Sequence, residues 1–152
     1  MRKKVLMSLV SLSLLVLLGG RSARAQIIGE VEADIPFNFY AGNARLPAGK
    51  YIIKVLDDSD LSLMEIRNKN GRMSALFQVR DSIDNVNPSK SELLFNKYGD
   101  QYFLSKIYEE GEKDGSAVAE SRYEMKMEKS GVKAETRSVP CRRHSGQAMK
   151  TT

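Results

Sequence analysis

The chain has 152 residues, including 24 basic residues, 19 acidic residues, one cysteine and no tryptophan. Five basic and no acidic residues fall within the first 25, so the remaining 127 residues carry 19 charges of each sign. This balance excludes the strong net positive charge on which nonspecific nucleic-acid binding depends. The length is typical of one domain.

Residues 1–25 have the order of a cleavable secretory signal peptide. Met1–Lys4 is a short positive segment, Val5–Leu18 is an apolar run interrupted only by serines, and Ala23–Ala25 offers a small-x-small cleavage site. The apolar run has 14 residues, fewer than the roughly 20 that cross a bilayer. We expect an exported protein, periplasmic or extracellular, whose mature chain begins at Gln26 and keeps no integral membrane span.

Period-two alternation of apolar and polar residues predicts about six short strands after the signal peptide. The first lies within residues 26–40, where Pro36 cannot donate a ladder hydrogen bond and predicts an edge or a bulge. If Pro36 divides this segment, a seventh strand comes from Ile27–Glu32. The Asn70-Gly71 pair predicts a tight hairpin turn. The remaining predicted strands are Lys50–Leu56, Leu61–Asn68, Arg72–Arg80, Glu92–Lys97 and Gln101–Glu109.

The strand-like alternation of apolar and polar residues stops after Gly115. Residues 116–130 contain neither glycine nor proline and many helix formers, which predicts one amphipathic helix capped by Ser116 and ended by Gly131. Residues 131–152 have almost no large apolar side chains and an excess of basic charge, and they predict a basic disordered tail. The expected organisation is a signal peptide at 1–25, a β-rich globular domain at 26–130 and this tail.

Together these elements predict a mainly β fold. It is an antiparallel sandwich or barrel-like domain of about six to seven strands, with one C-terminal helix and a preceding signal-peptide helix. The only cysteine, Cys141, cannot form an internal disulfide, so the domain must be held together by packing alone. An intermolecular disulfide and an incidental free thiol both stay open for Cys141.

Two segments carry a resemblance to a known family. The first is Ile35-Pro36-Phe37-Asn38-Phe39-Tyr40-Ala41-Gly42-Asn43, continuing through Leu46-Pro47-Ala48-Gly49-Lys50-Tyr51, and the second is Leu94-Phe95-Asn96-Lys97-Tyr98-Gly99-Asp100-Gln101-Tyr102-Phe103-Leu104. In this order, over most of residues 31–125, the chain resembles a family of small exported β-rich bacterial proteins of unknown function, common in soil bacteria such as acidobacteria. The resemblance implies a signal peptide and a small β-rich domain, and it brings no catalytic residues.

The sequence assembles no catalytic or metal-binding set. One histidine, His144, and one cysteine fall short of the three or four ligands of a zinc site. No apolar residues surround this pair to hold a nucleophile against its base. The Asp57–Asp60 segment lacks the glycine and distal glutamate of a calcium loop, and a solvated hairpin turn explains it better. We expect no cofactor and no metal.

The most distinctive aromatic corner lies between the last two predicted strands. Its residues Tyr98, Asp100 and Tyr102 predict a possible binding edge, with cross-strand packing of a tight hairpin as the alternative. The predicted function is a secreted or periplasmic non-catalytic β-domain, either structural or binding an envelope protein or glycan, with no nucleic-acid partner. The alternative is a carboxylate-dependent hydrolase acting on glycans, which needs two carboxylates about 5–10 Å apart in a concave site.

Overall fold

The structure is a computed structural model that describes residues 30–57, 59–84 and 88–144. The predicted signal peptide lies outside these residues. The elements are β1 (Glu30–Ile35), β2 (Phe39–Ala41), β3 (Ala44–Leu46), β4 (Gly49–Asp57), β5 (Asp60–Asn68), β6 (Ser74–Ser82), β7 (Glu92–Tyr98), β8 (Gln101–Tyr108), β9 (Gly115–Val118), α1 (Arg122–Lys129) and β10 (Glu135–His144).

Eight of these strands close into an antiparallel barrel. Its order is β8-β7-β10-β1-β4-β5-β6-β9, and pairing of β9 with β8 completes the circle. The β2–β3 hairpin lies outside this circle and adds to β8 through a parallel pairing of Tyr40 with Phe103. Closure removes the free strand edges that an open sheet would expose to other chains. The predicted mainly β, barrel-like fold is confirmed.

Alternate side chains of the barrel strands point inward and form one apolar core. Tyr51, Ile53, Ile66 and Phe95 are fully buried there. The phenolic oxygen of Tyr51 donates a hydrogen bond to the carbonyl oxygen of Pro47 at 2.8 Å, so the polar atom of this buried ring has a partner. Each large apolar side chain buried in this way contributes about 1.5–3 kcal/mol to folding. This core holds the domain together without an internal disulfide.

The strands predicted in the middle of the chain are observed as β4 to β8. Strand β1 ends at Ile35, directly before Pro36, and the chain becomes extended again at Phe39, so Pro36 divides the first segment. The Asn-Gly turn joins β5 to β6, with Gly71 at a positive φ of 69° and its amide donating to the carbonyl of Asn68 at 2.8 Å.

The predicted disordered tail is wrong for residues 135–144, which form barrel strand β10. This strand pairs with β1 on one side and with β7 on the other, and both pairings are antiparallel. Val139 is its buried apolar anchor, at 5 % exposure, and Cys141 packs partly buried against the core. Backbone hydrogen bonds to two neighbours hold a strand with few large apolar residues, so its composition resembles that of a tail. The globular domain therefore extends past residue 130.

The predicted helix is present but shorter than expected. Residues Gly115–Val118 form β9, and α1 begins at Arg122 with Ser121, not Ser116, as its N-cap. The Ser121 hydroxyl accepts a hydrogen bond from the backbone amide of Glu124 at 3.0 Å. Gly131 follows the helix at a positive φ of 77°, as the sequence predicted. Because β10 comes after it, α1 is not the last element of the chain.

Candidate binding cleft

Three chain segments meet at the barrel end where β1 stops, and they enclose a cleft of about 370 Å³. The segments are the β1–β2 connection, the β2–β3 hairpin and the β7–β8 hairpin. The lining residues are Phe37, Asn38, Tyr40, Arg45, Asp100, Gln101 and Tyr102. We call this group the end cleft. It lies at the low end of the roughly 300–1,000 Å³ typical of small-molecule sites.

An aromatic ring that closes this end of the barrel forms one side of the end cleft. The Phe37 ring stacks on Tyr102 with centroids 3.8 Å apart and a 13° interplanar angle. The same ring meets the core residue Phe95 edge-on at 5.1 Å. Aromatic pairs of these geometries contribute about 0.5–1.5 kcal/mol beyond burial. Phe37 therefore links the rim of the cleft directly to the core.

The polar lining of the end cleft combines opposite charges with amides and hydroxyls. Arg45 and Asp100 are both exposed and carry one charge of each sign. The side-chain oxygen of Asn38 accepts a hydrogen bond from the Ala48 amide at 3.0 Å, which fixes this amide group beside the cleft. The hydroxyls of Tyr40 and Tyr102 make no hydrogen bond within the described parts of the chain. The lining thus offers several donors and one strong acceptor to a ligand.

Helix α1 braces both walls of the end cleft. At its start, the Arg122 amide donates to Asn43 Oδ1 at 3.1 Å in the β2–β3 turn, and Tyr123 lies 5.3 Å from Tyr40 between ring centroids. At its other end, Tyr98 in β7 donates its phenolic hydrogen to Glu128 Oε1 at 3.1 Å. One helix therefore contacts both hairpins that form the walls of the end cleft.

Helix α1 carries a buried carboxylate on the side that faces the barrel. Glu124 is only 3 % exposed, and its Oε1 accepts a hydrogen bond from Asn96 Nδ2 at 2.8 Å. Burial raises the pKa of this carboxyl, and the negative charges of Glu120 and Glu128 raise it further. Burial, together with the hydrogen bond to Glu128, also raises the pKa of Tyr98 to about 12. At neutral pH the ionised Glu124 carboxylate therefore costs the folded protein some stability.

This cost predicts a measurable effect of Glu124→Gln. A raised folded-state pKa means that the folded protein binds the proton more tightly, so stability falls as the pH rises from about 4.5 through the folded-state value. We expect Glu124→Gln to raise the Tm at pH 7 by a few degrees, and this gain to vanish below about pH 4. Thermal unfolding from pH 3 to pH 8 measures it. A gain of the same size at every pH, or an equal effect of the exposed control Glu110→Gln, would contradict this explanation.

The predicted binding edge is divided by the structure. Asp100 and Tyr102 line the end cleft, whereas Tyr98 is 3 % exposed and lies beneath α1. Gln101 lies between Asp100 and Tyr102, whereas Phe37, Asn38, Tyr40 and Arg45 come from another part of the chain, and local patterns do not place them beside Asp100. The aromatic, amide and basic residues around Phe37, which also carry the family resemblance, are the available signal.

A second depression, of about 380 Å³, lies on the outer face of β1, β4 and β10. Its lining includes Glu32 and Asp34, which share one face of β1, and the oppositely charged Lys50 and Arg142. Glu32 Oε1 lies 3.1 Å from Lys69 Nζ and 3.2 Å from Arg142 Nη2. The hydrogen bonds from Lys69 and then Arg142 lower the pKa of Glu32 to about 2. This carboxylate stays ionised, which is unfavourable for a general acid.

Other polar clusters connect parts of the fold. Asp84 Oδ2 accepts hydrogen bonds from Lys106 at 2.7 Å, Ser82 at 2.6 Å and Tyr108 at 2.5 Å, which hold the chain after β6 against β8. The Lys106 contact is the main reason why the pKa of Asp84 is well below its ordinary value. At the barrel end opposite the cleft, the buried Glu109 pairs with Arg143 Nη2 at 2.6 Å.

No group of three or more potential metal ligands occurs among residues 30–57, 59–84 and 88–144. In the connection between β4 and β5, Asp57 Oδ1 accepts hydrogen bonds from the Ser59 amide and hydroxyl, both at 2.8 Å, as in a hairpin turn. Burial raises the pKa of the Cys141 thiol to about 12, with Glu109 and Glu92 adding to the effect, so this thiol is not an activated nucleophile.

No helix in the described part of the chain is long and apolar enough to span a membrane. Comparisons with known proteins found no matching family model, no similar curated protein and no similar solved structure. The resemblance to exported β-rich proteins therefore stays a prediction.

Proposed function

We propose that the protein is an exported, non-catalytic binding domain of the cell envelope that holds part of its partner in the end cleft. The observation that carries this proposal is the convergence of three hairpin and loop segments on one concave, mixed polar and aromatic site. Concave sites with an apolar surface and a few convergent polar groups are the usual form of ligand sites in proteins. The site lies at the end of a rigid barrel, which is a suitable support for binding loops.

The composition of the end cleft favours binding over hydrolysis. Among the described residues that line it, Asp100 is the single carboxylate, whereas glycoside hydrolysis uses a pair. The alternative hydrolase would use Glu32 and Asp34 in the second depression. The low pKa of Glu32, about 2, opposes the role of proton donor that one member of such a pair must take.

Export is supported by the order of residues 1–25, a short positive segment, an apolar run and a small-x-small site. The charge balance of the remaining 127 residues is neutral, which gives no electrostatic reason for a nucleic-acid partner. An envelope protein or an envelope glycan is therefore the proposed partner class. Export predicts that the secreted or periplasmic protein has the mass of residues 26–152, measured by mass spectrometry.

Capture from an envelope extract tests the binding role of the end cleft. We expect the immobilised protein to retain at least one extract component, and the double variant Arg45→Ala/Asp100→Ala to retain at least about tenfold less of it, because two charge-assisted hydrogen bonds are lost. Retained proteins and sugars are quantified by mass spectrometry. The matched control Arg67→Ala/Asp81→Ala, which changes exposed charges outside the cleft, is expected to behave like the unchanged protein. Equal retention by all three proteins, or no retention, would contradict the proposal.

A further inference from the structure

The geometry points to an uncharged saccharide as the ligand of the end cleft, an inference that rests on the binding role proposed above. It names the chemical class that the lining residues fit best. The ligand would be one or two sugar units of an envelope glycan, whose hydroxyls accept hydrogen bonds from Arg45, donate them to Asp100 and exchange them with the neighbouring amides.

The charges of the cleft select against a charged ligand. Arg45 and Asp100 line the same site and cancel in net charge. An anionic ligand would be attracted by Arg45 but repelled by Asp100, and a cationic ligand the reverse, so neither sign of charge gains a net attraction. Sugar hydroxyls donate and accept at the same atom, so one saccharide can satisfy a guanidinium and a carboxylate together. The Asn38 and Gln101 amides offer the same two functions in neutral form.

The tyrosines of the cleft fit a ligand that carries hydroxyl groups. Phe37 covers one face of Tyr102, and Lys97 Nζ lies 5.9 Å from the centroid of that ring. Phe103 stacks on Tyr40 at 4.9 Å. One face of each tyrosine is therefore covered, and its hydroxyl, which makes no hydrogen bond among the described residues, can exchange hydrogen bonds with a sugar hydroxyl.

Helix α1 connects the two walls of the end cleft through hydrogen bonds. The Arg122–Asn43 and Tyr98–Glu128 hydrogen bonds fix both hairpins to α1. Preorganisation of this kind lowers the entropy cost of binding. Affinity is still expected to be modest, because Arg45 and Asp100 are exposed to water and compete with it for each hydrogen bond.

Titration calorimetry with defined oligosaccharides tests this inference. The probes are the neutral tetrasaccharides of glucose, mannose, galactose and N-acetylglucosamine, anionic tetragalacturonate and cationic chitosan tetramer, each titrated to about 10 mM because the affinity is expected to be weak. We expect at least one neutral probe to bind, and Asp100→Asn and Arg45→Gln each to weaken it about tenfold or more. The control Asp81→Asn, an exposed aspartate outside the cleft, is expected to bind within about twofold of the unchanged protein.

The inference is overturned if a charged probe binds more tightly than every neutral one. It is also overturned if no probe binds, or if the Asp100 and Arg45 variants bind as the unchanged protein does. The extract-capture experiment separates this failure from failure of the binding role. A captured component that depends on the end cleft but contains no sugar would end the saccharide inference and leave the binding role standing. If no saccharide binds and no extract component is captured through the end cleft, both the saccharide inference and the proposed binding role are overturned.

Discussion

A chain that ends at Gly131 is expected to show no cooperative unfolding transition, whereas a chain that ends at His144 is expected to unfold like the full protein. The shorter chain lacks β10, which hydrogen-bonds to both β1 and β7. Without it the barrel opens and two long strand edges are exposed, a condition that favours aggregation. Near-ultraviolet circular dichroism and urea denaturation compare the two chains. A cooperative transition in the chain ending at Gly131 would show that β10 is dispensable.

Point variants in β10 test the same strand without deleting it. Val139, 5 % exposed, faces the core, whereas Thr136 in the same strand is exposed. We expect Val139→Ala to lower the free energy of unfolding by about 2 kcal/mol and Thr136→Ala to change it by no more than about 0.5 kcal/mol. Equal effects of the two variants would contradict the inward position of Val139.

Phe95→Ala is expected to lower the free energy of unfolding by about 3–5 kcal/mol, because it leaves a large cavity in the barrel core. Phe95 is fully buried and meets the rings of Phe37 and Phe39 edge-on at 5.1 and 5.6 Å. The same change removes the support of Phe37, so ligand binding in the end cleft is expected to weaken as well. Urea denaturation measures the first effect and calorimetry the second.

The control for Phe95→Ala is Leu76→Ala, since Leu76 lies on a barrel strand but is 55 % exposed. It is expected to change the free energy of unfolding by less than about 0.5 kcal/mol and to leave binding unchanged. If Phe95→Ala cost less than about 1 kcal/mol, the barrel interior could not be packed as the structure shows it.

Local patterns predicted most of the barrel because its central strands alternate clearly. Strands β4 to β6 bury alternate residues over their central parts, and the turns between strands contain residues such as Gly71 that suit tight hairpins. Pro36 marked the end of β1 for the same kind of local reason. Such features depend on neighbours in sequence, which is why the sequence alone reveals them.

Strands β9 and β10 escaped prediction because their stability comes from distant partners. Val118 in β9 pairs with Val79, and Val139 in β10 pairs with Leu93. In a segment of good helix formers, β9 has only four residues, and β10 contains a proline and four charged residues. Composition suggested a helix for one and disorder for the other, and only closure of the barrel decides between these states.

Local sequence patterns single out residues on only one side of the end cleft, for the same reason. Asp100 and Tyr102 belong to an aromatic hairpin corner that the sequence makes evident. Their neighbours across the cleft, Phe37 to Arg45, are about 60 residues away in the chain. Tyr98 resembles Tyr102 in the sequence, yet it lies on the opposite face of the β7–β8 hairpin and is buried beneath α1. The position of α1 on that side could not be read from local spacing.

The most direct test of the end cleft as the binding site is a ¹⁵N–¹H NMR titration of the protein with the best-binding neutral tetrasaccharide. The predicted result is a set of amide shifts confined to residues 37–45 and 98–102, with smaller changes along α1. Shifts centred on Glu32, Asp34 and Arg142 would place binding in the second depression and contradict the proposed site. No saturable shifts at either place would contradict the saccharide inference.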